Sequence, residues 1–356
     1  MTRPVPAPTP TPAPAPALAA WALGGLPARP VLTNAVRRLW RDHRALQFGR
    51  SSGSAIVLSG VDPTTRTVLD LLDGTRTSVG VLTASEALGC PRERTLELVT
   101  LLQEAGLLED AAQQRVALES LTATERDRLT PDLATLAVHD AGTSWEVLAR
   151  RRVACVLVLG AGRVGAPLAS LLGGAGLGDV RLVDAALTRE VDVVTGGLQP
   201  HDVGRPRGRA FPADKPLLAV LAPAAGVPLD DLLPELPPGT PHLLAQVHDA
   251  TGIVGPLVLP GRTACLHCLD LARTDLDPRW PALASQLAQA PSGPVACAGP
   301  LALAVAAQAC MQVLAFVDGP ARPATVGGTL ELSLPDWRWR RRSWLVHPDC
   351  ACTSRR

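Results

Sequence analysis

The sequence lacks an excess of charge of either sign. Its 34 lysine and arginine residues are balanced by 33 aspartate and glutamate residues, which leaves a formal net charge of +1. A protein whose main work is to bind nucleic acid through phosphates carries a clear basic excess. We therefore expect no nucleic-acid partner.

The beginning of the chain lacks a secretory signal, which would combine a basic segment with an apolar helical one. Repeated prolines interrupt residues 2–18 and prevent such a helix. The eight cysteines are therefore expected in a reducing compartment, where clustered thiols bind metal more often than they form disulfides. This predicts a cytoplasmic protein.

Long apolar runs are also scarce. Residues 301–317 form one uncharged stretch near the length of a membrane span, but it is rich in alanine and contains Gln308 and Gln312. This composition favours a buried core helix over a membrane span. We expect no membrane partner.

A chain of 356 residues is longer than one core usually fills, so two domains with tails are expected. Residues 1–27 are predicted to be a disordered leader rich in proline and alanine. Residues 28–110 form a small α+β domain, and residues 111–150 form a linker and a helix that leads into the next domain. Residues 151–356 form the second domain.

The 28–110 segment has the order of elements of a winged-helix module. Short strands are predicted at 45–48 and 55–58, followed by a helix after Asp62-Pro63 and by helices around 79–88 and 91–106. The segment resembles the peptide-recognition elements of systems that modify ribosomally made peptides. A domain that only packs on its neighbour is the equal alternative, and DNA reading ranks low because the last helix carries few cations.

A glycine-rich loop lies between a predicted strand and a predicted helix. Residues 153–159 are continuously apolar, as in a strand buried on both faces of a parallel sheet. Gly160, Gly162 and Gly165 follow as G-x-G-x-x-G, and Asp184 ends the next strand. Glycines let backbone N–H groups approach a phosphate, and the carboxylate accepts ribose hydroxyls. The pattern predicts a doubly wound, Rossmann-like nucleotide fold, with nicotinamide or flavin chemistry still open.

Two cysteine pairs predict a metal site. Cys265 and Cys268 form C-x-x-C, and Cys350 and Cys352 form C-x-C near the end of the sequence. Four thiolates suit a closed, structural zinc site. Because the second pair is one residue short of C-x-x-C, His267 and His347 are the alternative ligands.

These motifs occur in the order typical of the ThiF/MoeB/HesA family of ubiquitin-activating-like proteins. The segments 175–184, 197–207 and 241–271 are similar to the corresponding family segments, and the resemblance covers about 200 residues. It implies a ThiF-type fold with a zinc-bearing C-terminal end. It also implies ATP and Mg²⁺ as cofactors, Arg207 as a phosphate-binding residue and a homodimer.

The family's chemistry is adenylation of a C-terminal carboxylate, and the sequence departs from it at four positions. Arg163 replaces a loop glycine and would crowd a phosphate, Pro200 replaces a cation, and Arg207 replaces a lysine. Pro223 stands where active relatives present the aspartate that binds Mg²⁺.

These departures resemble those of ThiF-like partner proteins in thiazole/oxazole-modified peptide synthesis. Such proteins present a leader peptide to a YcaO-type cyclodehydratase, which would be the partner here. The alternative is an active adenylyltransferase that acts on a ubiquitin-like or sulfur-carrier protein. Cys297 is a weak candidate for a thioester-forming catalytic residue.

Residues 337–342 alternate as a strand does and carry Trp337 and Trp339 on one face, with Arg338 and Arg340 on the other. An edge strand explains the pattern without a function. A groove in which an acidic leader peptide pairs with that edge is the alternative.

Overall fold

The computed structural model describes residues 4–5, 25–50, 55–119, 121–139, 144–184, 189–197, 199–200, 216–223, 236–287, 296–319 and 321–353. The chain divides into two compact units, residues 1–149 and 150–356. Apart from Pro4–Val5 and residues 25–27, the predicted leader lies outside the described residues. Arg207 also lies outside them.

Unit 1 contains two small sheets. Its strands are β1 (Pro4–Val5), β2 (Pro30–Leu32), β3 (Arg38–Asp42), β4 (Ala45–Phe48), β5 (Ile56–Ser59) and β6 (Leu108–Asp110). One sheet has the order β1-β5-β4-β3, in which β1 is parallel to β5 and the other pairs are antiparallel; the other sheet pairs β2 with β6. The strands predicted at 45–48 and 55–58 are confirmed to within one residue, whereas β3 was not foreseen.

Three helices follow, namely α1 (Pro63–Leu71), α2 (Ser78–Ala87) and α3 (Arg92–Glu104). Asp62 caps α1 by accepting a hydrogen bond from the Thr65 N–H. Burial alone would raise the pKa of Asp62, but hydrogen bonds from Thr65 and Arg94 outweigh it and lower this pKa to about 2. The helices match the predicted ones, while the winged-helix assignment itself stays a prediction.

Residues 111–150, expected to form a linker and one leading helix, contain three helices. They are α4 (Ala111–Glu119), α5 (Ala123–His139) and α6 (Ser144–Val153). A small cluster of buried leucines holds this segment together, formed by Leu121, Leu129, Leu133 and Leu148. Leu129 and Leu133 are one helical turn apart, so α5 presents both to the same side.

Unit 2 is a mixed α/β fold around one seven-stranded sheet. Its strands are β7 (Cys155–Leu159), β8 (Asp179–Val183), β9 (Leu218–Leu221), β10 (His242–His248), β11 (Thr251–Val258), β12 (Gly328–Ser333) and β13 (Arg338–Ser343). The order is β13-β12-β11-β10-β9-β7-β8. The strands β8, β7, β9 and β10 are parallel, and β11, β12 and β13 continue the sheet antiparallel.

Strand β7 is buried on both faces, as its continuous apolar sequence predicts. Val156 and Val158 belong to the main core cluster, whereas Leu157 and Leu159 belong to a second cluster on the other face. This alternation follows from the two-residue period of a strand. Val153, which the prediction placed in the strand, instead ends α6.

The helices of unit 2 are α7 (Gly165–Gly174), α8 (Leu266–Leu276), α9 (Trp280–Leu287) and α10 (Gly299–Asp318). Among the described residues α10 is the one helix long and apolar enough to cross a membrane, and half of its apolar window is buried. It packs on α7, β10 and β11, which agrees with the predicted core helix.

A buried ion pair connects the last turn of α6 with the last residue of α10. The Arg151 Nε and Nη2 atoms donate to the two carboxylate oxygens of Asp318 at 2.8 and 2.6 Å, and Nη1 donates to the Ala175 carbonyl. Both partners are largely buried, with 6% and 14% of their side chains exposed. Because every charged group has a partner, the desolvation cost is offset.

Candidate functional site

The glycine loop lies at the point where the order of the parallel strands reverses. Strand β7 lies between β8 and β9, and the loop follows its carboxyl end. Ligands of open α/β sheets bind in the crevice at such a switch point. The loop therefore lies where such folds bind ligands, and ligand binding at this loop stays a prediction.

Close backbone contacts explain two of the glycines. A Cβ atom on Gly160, whose φ is +100°, would lie 2.1 Å from the Ala222 carbonyl oxygen. A Cβ atom on Gly165 would lie 1.8 Å from the Gly160 carbonyl oxygen. Any side chain at either position would force strand, loop and helix apart. The loop is thus a tight turn between β7 and α7.

Asp184 is held against this loop. It directly follows β8, and its Oδ2 atom accepts a hydrogen bond of 2.9 Å from the Ala161 N–H. Gly162, which is buried, accepts a hydrogen bond from the Ala166 N–H at the start of α7. The structure therefore brings together Gly160, Gly162, Gly165 and Asp184.

Arg163 is held by residues beyond the loop. Its Nη1 atom donates to the Val191 carbonyl at 2.7 Å, and its Nη2 atom lies 3.3 Å from where a Cβ on Gly299 would be. Its Nε atom is buried without a hydrogen-bond partner among the described residues. The expectation that Arg163 crowds a phosphate considered the loop alone, whereas the guanidinium is bonded to the segment after β8.

Cys297 lies beside Arg163, just before α10. Burial raises the pKa of the Cys297 thiol, and the neighbouring Arg163 cation partly offsets this rise. The thiol packs against the main core cluster and is partly buried. The sequence does not indicate this proximity, because the two residues lie in distant segments that only tertiary packing brings together.

Besides Arg163, two other departures from the family pattern lie among the described residues. The Pro223 nitrogen lies 3.3 Å from where a Cβ on Gly160 would be, so Pro223 adjoins the loop at the end of β9. Pro200 is exposed. A proline in the shell of the loop offers neither a carboxylate for a metal nor a backbone N–H for an anion.

The second site consists of the four cysteines predicted to bind metal. Their sulfur atoms lie within 4.8 Å of one another. The sulfur–sulfur distances are 3.7 Å from Cys265 to Cys268, 3.6 Å from Cys265 to Cys350 and 3.5 Å from Cys268 to Cys352. Four sulfur ligands at about 2.3 Å from a central ion in a tetrahedron lie about 3.8 Å apart. The four thiols are thus positioned to hold one metal ion.

Local structure presents these cysteines. Cys265 is the N-terminal cap residue of α8, and Cys268 lies in the first turn of that helix. Burial raises the pKa of Cys265 to about 11. Burial also acts to raise the pKa of Cys268, but N–H groups of His347 and Cys265, with two neighbouring thiols, lower it to about 7. Cys268 therefore ionises more readily than Cys265, and a bound cation would favour ionisation of the remaining thiols.

The alternative histidine ligands do not join the cluster. His347 is buried and its Nε2 atom lies 2.9 Å from Asp275 Oδ2, while His267 is exposed. The shorter C-x-C spacing nevertheless brings both thiols to the site, because residues 351–353 form a 3₁₀ turn.

Known proteins resemble this chain in their fold, but none of the sequence comparisons finds a match. No protein-family description and no curated protein matches this sequence. The crystal structure of E. coli MccB with succinimide has a TM-score of 0.64 at 14% identity and covers 92% of this chain and 99% of MccB.

Two further structures give the same result. The structure described as the microcin C7 biosynthetic enzyme MccB in complex with N-formylated MccA has a TM-score of 0.63 at 14% identity, covering 91% and 99% of the two chains. The structure of PaaA has a TM-score of 0.60 at 18% identity, covering 88% and 99%. The chain therefore shares the fold of MccB, a ThiF/MoeB-like protein, which agrees with the predicted resemblance.

Proposed function

We propose that this chain binds a precursor or leader peptide on a ThiF-type scaffold and has lost efficient adenylation. In this proposal it still binds a nucleotide at the glycine loop and presents the peptide to a separate modifying enzyme, such as a YcaO-type cyclodehydratase. The observation that carries the proposal is the position of Pro223, which adjoins Gly160 at the switch point of the sheet.

Nucleotide binding is supported by the geometry of the loop. The loop backbone leads into the N-terminal end of α7, which carries the positive end of the helix dipole. Asp184 fixes the loop through the Ala161 N–H and places a carboxylate beside it. These groups suit the phosphate and the ribose of an adenine nucleotide.

Adenylation demands more than binding. The peptide carboxylate oxygen attacks the α-phosphorus of ATP while the bond to pyrophosphate breaks, and Mg²⁺ and cations neutralise the departing charge. The described residues directly after β7 and β9 contain no carboxylate. Asp192, eight residues after Asp184, is buried and paired with Arg189. At the end of β9, beside the glycine loop, Pro223 offers no ligand for a metal.

Peptide binding is supported by the breadth of the structural likeness. It covers 91% of this chain for MccB in complex with N-formylated MccA, so it extends through most of unit 1. We assign peptide recognition to residues 28–110 and treat the homodimer as part of the same proposal.

Zinc is the metal we propose for the cysteine cluster. Four thiolates in a closed tetrahedral arrangement suit Zn²⁺ and leave no open position for a substrate. Its role is structural, because Cys350 and Cys352 connect the end of the chain to the start of α8.

A pyrophosphate-exchange assay tests the loss of adenylation. The full chain is mixed with ATP, Mg²⁺, labelled pyrophosphate and short peptides encoded near its gene. We expect background exchange, and we expect Pro223→Asp to make nucleotide binding depend on Mg²⁺. Robust exchange that Asp184→Asn abolishes would contradict the proposal.

An active adenylyltransferase is the second candidate. It is favoured by the likeness to E. coli MccB with ATP, which has a TM-score of 0.62 and covers 91% of this chain. In that case exchange is robust with the cognate peptide, and mass spectrometry detects an acyl-adenylate. Cys297 gains a role only if Cys297→Ser also removes a thioester to the peptide.

A further inference from the structure

Strand β13 forms one end of the seven-stranded sheet. Six of its residues pair with β12, and no other strand of the described chain pairs with its outer side. The Trp344 N–H donates to the Gly327 carbonyl, so the backbone groups of Trp344 face β12. Backbone groups of successive residues in a strand point to opposite sides, and those of Trp339, Arg341 and Ser343 therefore point to the outer edge.

This edge is strongly cationic. Arg338, Arg340, Arg341 and Arg342 are all exposed. Arg340 pairs with Asp336, and the other three guanidinium groups have no carboxylate partner among the residues the structure describes. Arg341 donates to the Ala324 carbonyl, and Arg342 stacks over the Trp344 ring at 4.5 Å. Asp336 and Glu331, which lies directly opposite Arg340 on β12, offset part of this charge, and the strand keeps an excess of positive charge.

The spacing of the charges is regular. Trp339 packs against the main core cluster, so Arg338, Arg340 and Arg342 occupy the opposite face of the strand. Their Cα atoms recur every two residues, which is about 6.8 Å along a strand. Charged side chains on an edge strand also discourage aggregation. Here the charges form one alternating row, which a second strand with the same two-residue period can match.

The alternating residues of the sequence predict part of this pattern. The alternation is confirmed for Arg338, Trp339 and Arg340, but Trp337 lies outside β13, in a turn with a φ of +51°. Trp337 therefore does not share the apolar face of Trp339. The exposed surface of the edge consists of arginines and backbone groups.

We propose that the outer edge of β13 binds an extended acidic peptide segment by strand addition. Carboxylates at alternate positions of the peptide lie opposite Arg338, Arg340 and Arg342, because directly opposed side chains on one face have Cβ atoms about 4.5–5.5 Å apart. The backbone of the peptide completes the ladder along Trp339, Arg341 and Ser343. This site lies in unit 2 and is separate from the peptide recognition assigned to residues 28–110.

A peptide fits this edge better than a nucleic acid does. Outward N–H and C=O groups in ladder spacing match a peptide backbone, whereas a phosphodiester backbone offers no N–H donors in return. The balanced net charge of the whole chain also gives no general attraction for nucleic acid.

Fluorescence anisotropy with the full chain tests the proposal. The probe is a labelled eight-residue peptide of alternating Glu and Thr. It is compared with a peptide in which the four Glu precede the four Thr, and with an alternating peptide that is N-methylated at each Thr. The Thr N–H groups are the ones that face β13 when the peptide pairs antiparallel with Glu opposite the arginines. We expect the alternating peptide to bind. The peptide with four Glu followed by four Thr and the N-methylated peptide should both bind more weakly.

Paired variants assign the binding to β13. Arg338→Ala with Arg342→Ala removes two arginines of the row, and we expect about tenfold weaker binding. The control, Arg279→Ala with Arg322→Ala, removes the same charge from exposed positions of unit 2 and should leave binding unchanged.

Several results overturn the proposal. One is that the alternating peptide does not bind. Another is that both double variants lose the same affinity for it. A third is that the peptide with four Glu followed by four Thr, or the N-methylated peptide, binds as tightly as the alternating one. Equal competition by single-stranded DNA of the same charge would also overturn it and would identify a nucleic-acid surface instead.

Discussion

Replacing Gly165 with alanine tests how the glycine loop is built. The added Cβ would lie 1.8 Å from the Gly160 carbonyl oxygen and 3.2 Å from the Ala222 Cβ, so β7, the loop and α7 must move apart. Gly173, near the end of the same helix, provides a matched control. A Cβ there meets no atom within 4 Å.

The two substitutions should change stability in opposite directions. Forcing a methyl group into the packed loop costs about 1–3 kcal/mol for Gly165→Ala. For a domain of the size of unit 2, each kcal/mol lowers the melting temperature by about 2–4 °C. Gly173→Ala should stabilise by about 0.5–1 kcal/mol, because alanine loses less conformational entropy in a helix.

Urea unfolding measures the free energy of unfolding of both variants, and calorimetric titration measures their affinity for AMP. We expect Gly165→Ala to lower the unfolding midpoint and weaken AMP binding, while Gly173→Ala raises the midpoint and leaves binding unchanged. If Gly165→Ala unfolds and binds like the wild type, the described contact between loop and helix is wrong.

Three further predictions concern other parts of the chain. Elemental analysis should find one zinc ion per chain, and Cys265→Ser should lose it and melt at a lower temperature; metal-free protein of unchanged stability would refute the site. Arg151→Met leaves a buried carboxylate unpaired and should cost about 3–5 kcal/mol in urea unfolding. Arg181→Met, which breaks a more exposed pair, should cost less than about 1 kcal/mol, and equal costs would argue against the burial of the first pair. Because the pKa of Asp62 is lowered to about 2, its contribution to stability is present above its ordinary pKa of 3.8 and is lost as the pH falls toward 2. Asp62→Asn should therefore weaken the acid dependence of unfolding, and an unchanged dependence would contradict the assigned cap.

Local sequence patterns predicted the parts of the fold that local chemistry dictates. The apolar run before Gly160, the helix start at Asp62 and the strand at 45–48 each carry their signal within a few residues. The cysteine pairs were recognisable because two closely spaced pairs of thiols are a typical ligand pattern of structural zinc sites.

The remaining features depend on tertiary packing. Strand β3 was missed because Arg38 and Arg41 dilute its apolar alternation. The position of Cys297 beside Arg163 arises from the packing of α10 near the segment after β8, which no spacing rule reports. The closeness of Pro223 to Gly160 likewise requires the strand order, in which β9 lies next to β7.

Calorimetric titration of the full chain with AMPCPP, in the presence and absence of Mg²⁺, tests the loss of adenylation most directly. We expect binding that Asp184→Asn weakens and that Mg²⁺ does not change, because Pro223 provides no ligand for the metal. Binding that Mg²⁺ strengthens by about tenfold, or about 1.4 kcal/mol, would show that the loop retains a metal site and that the proposed loss is wrong.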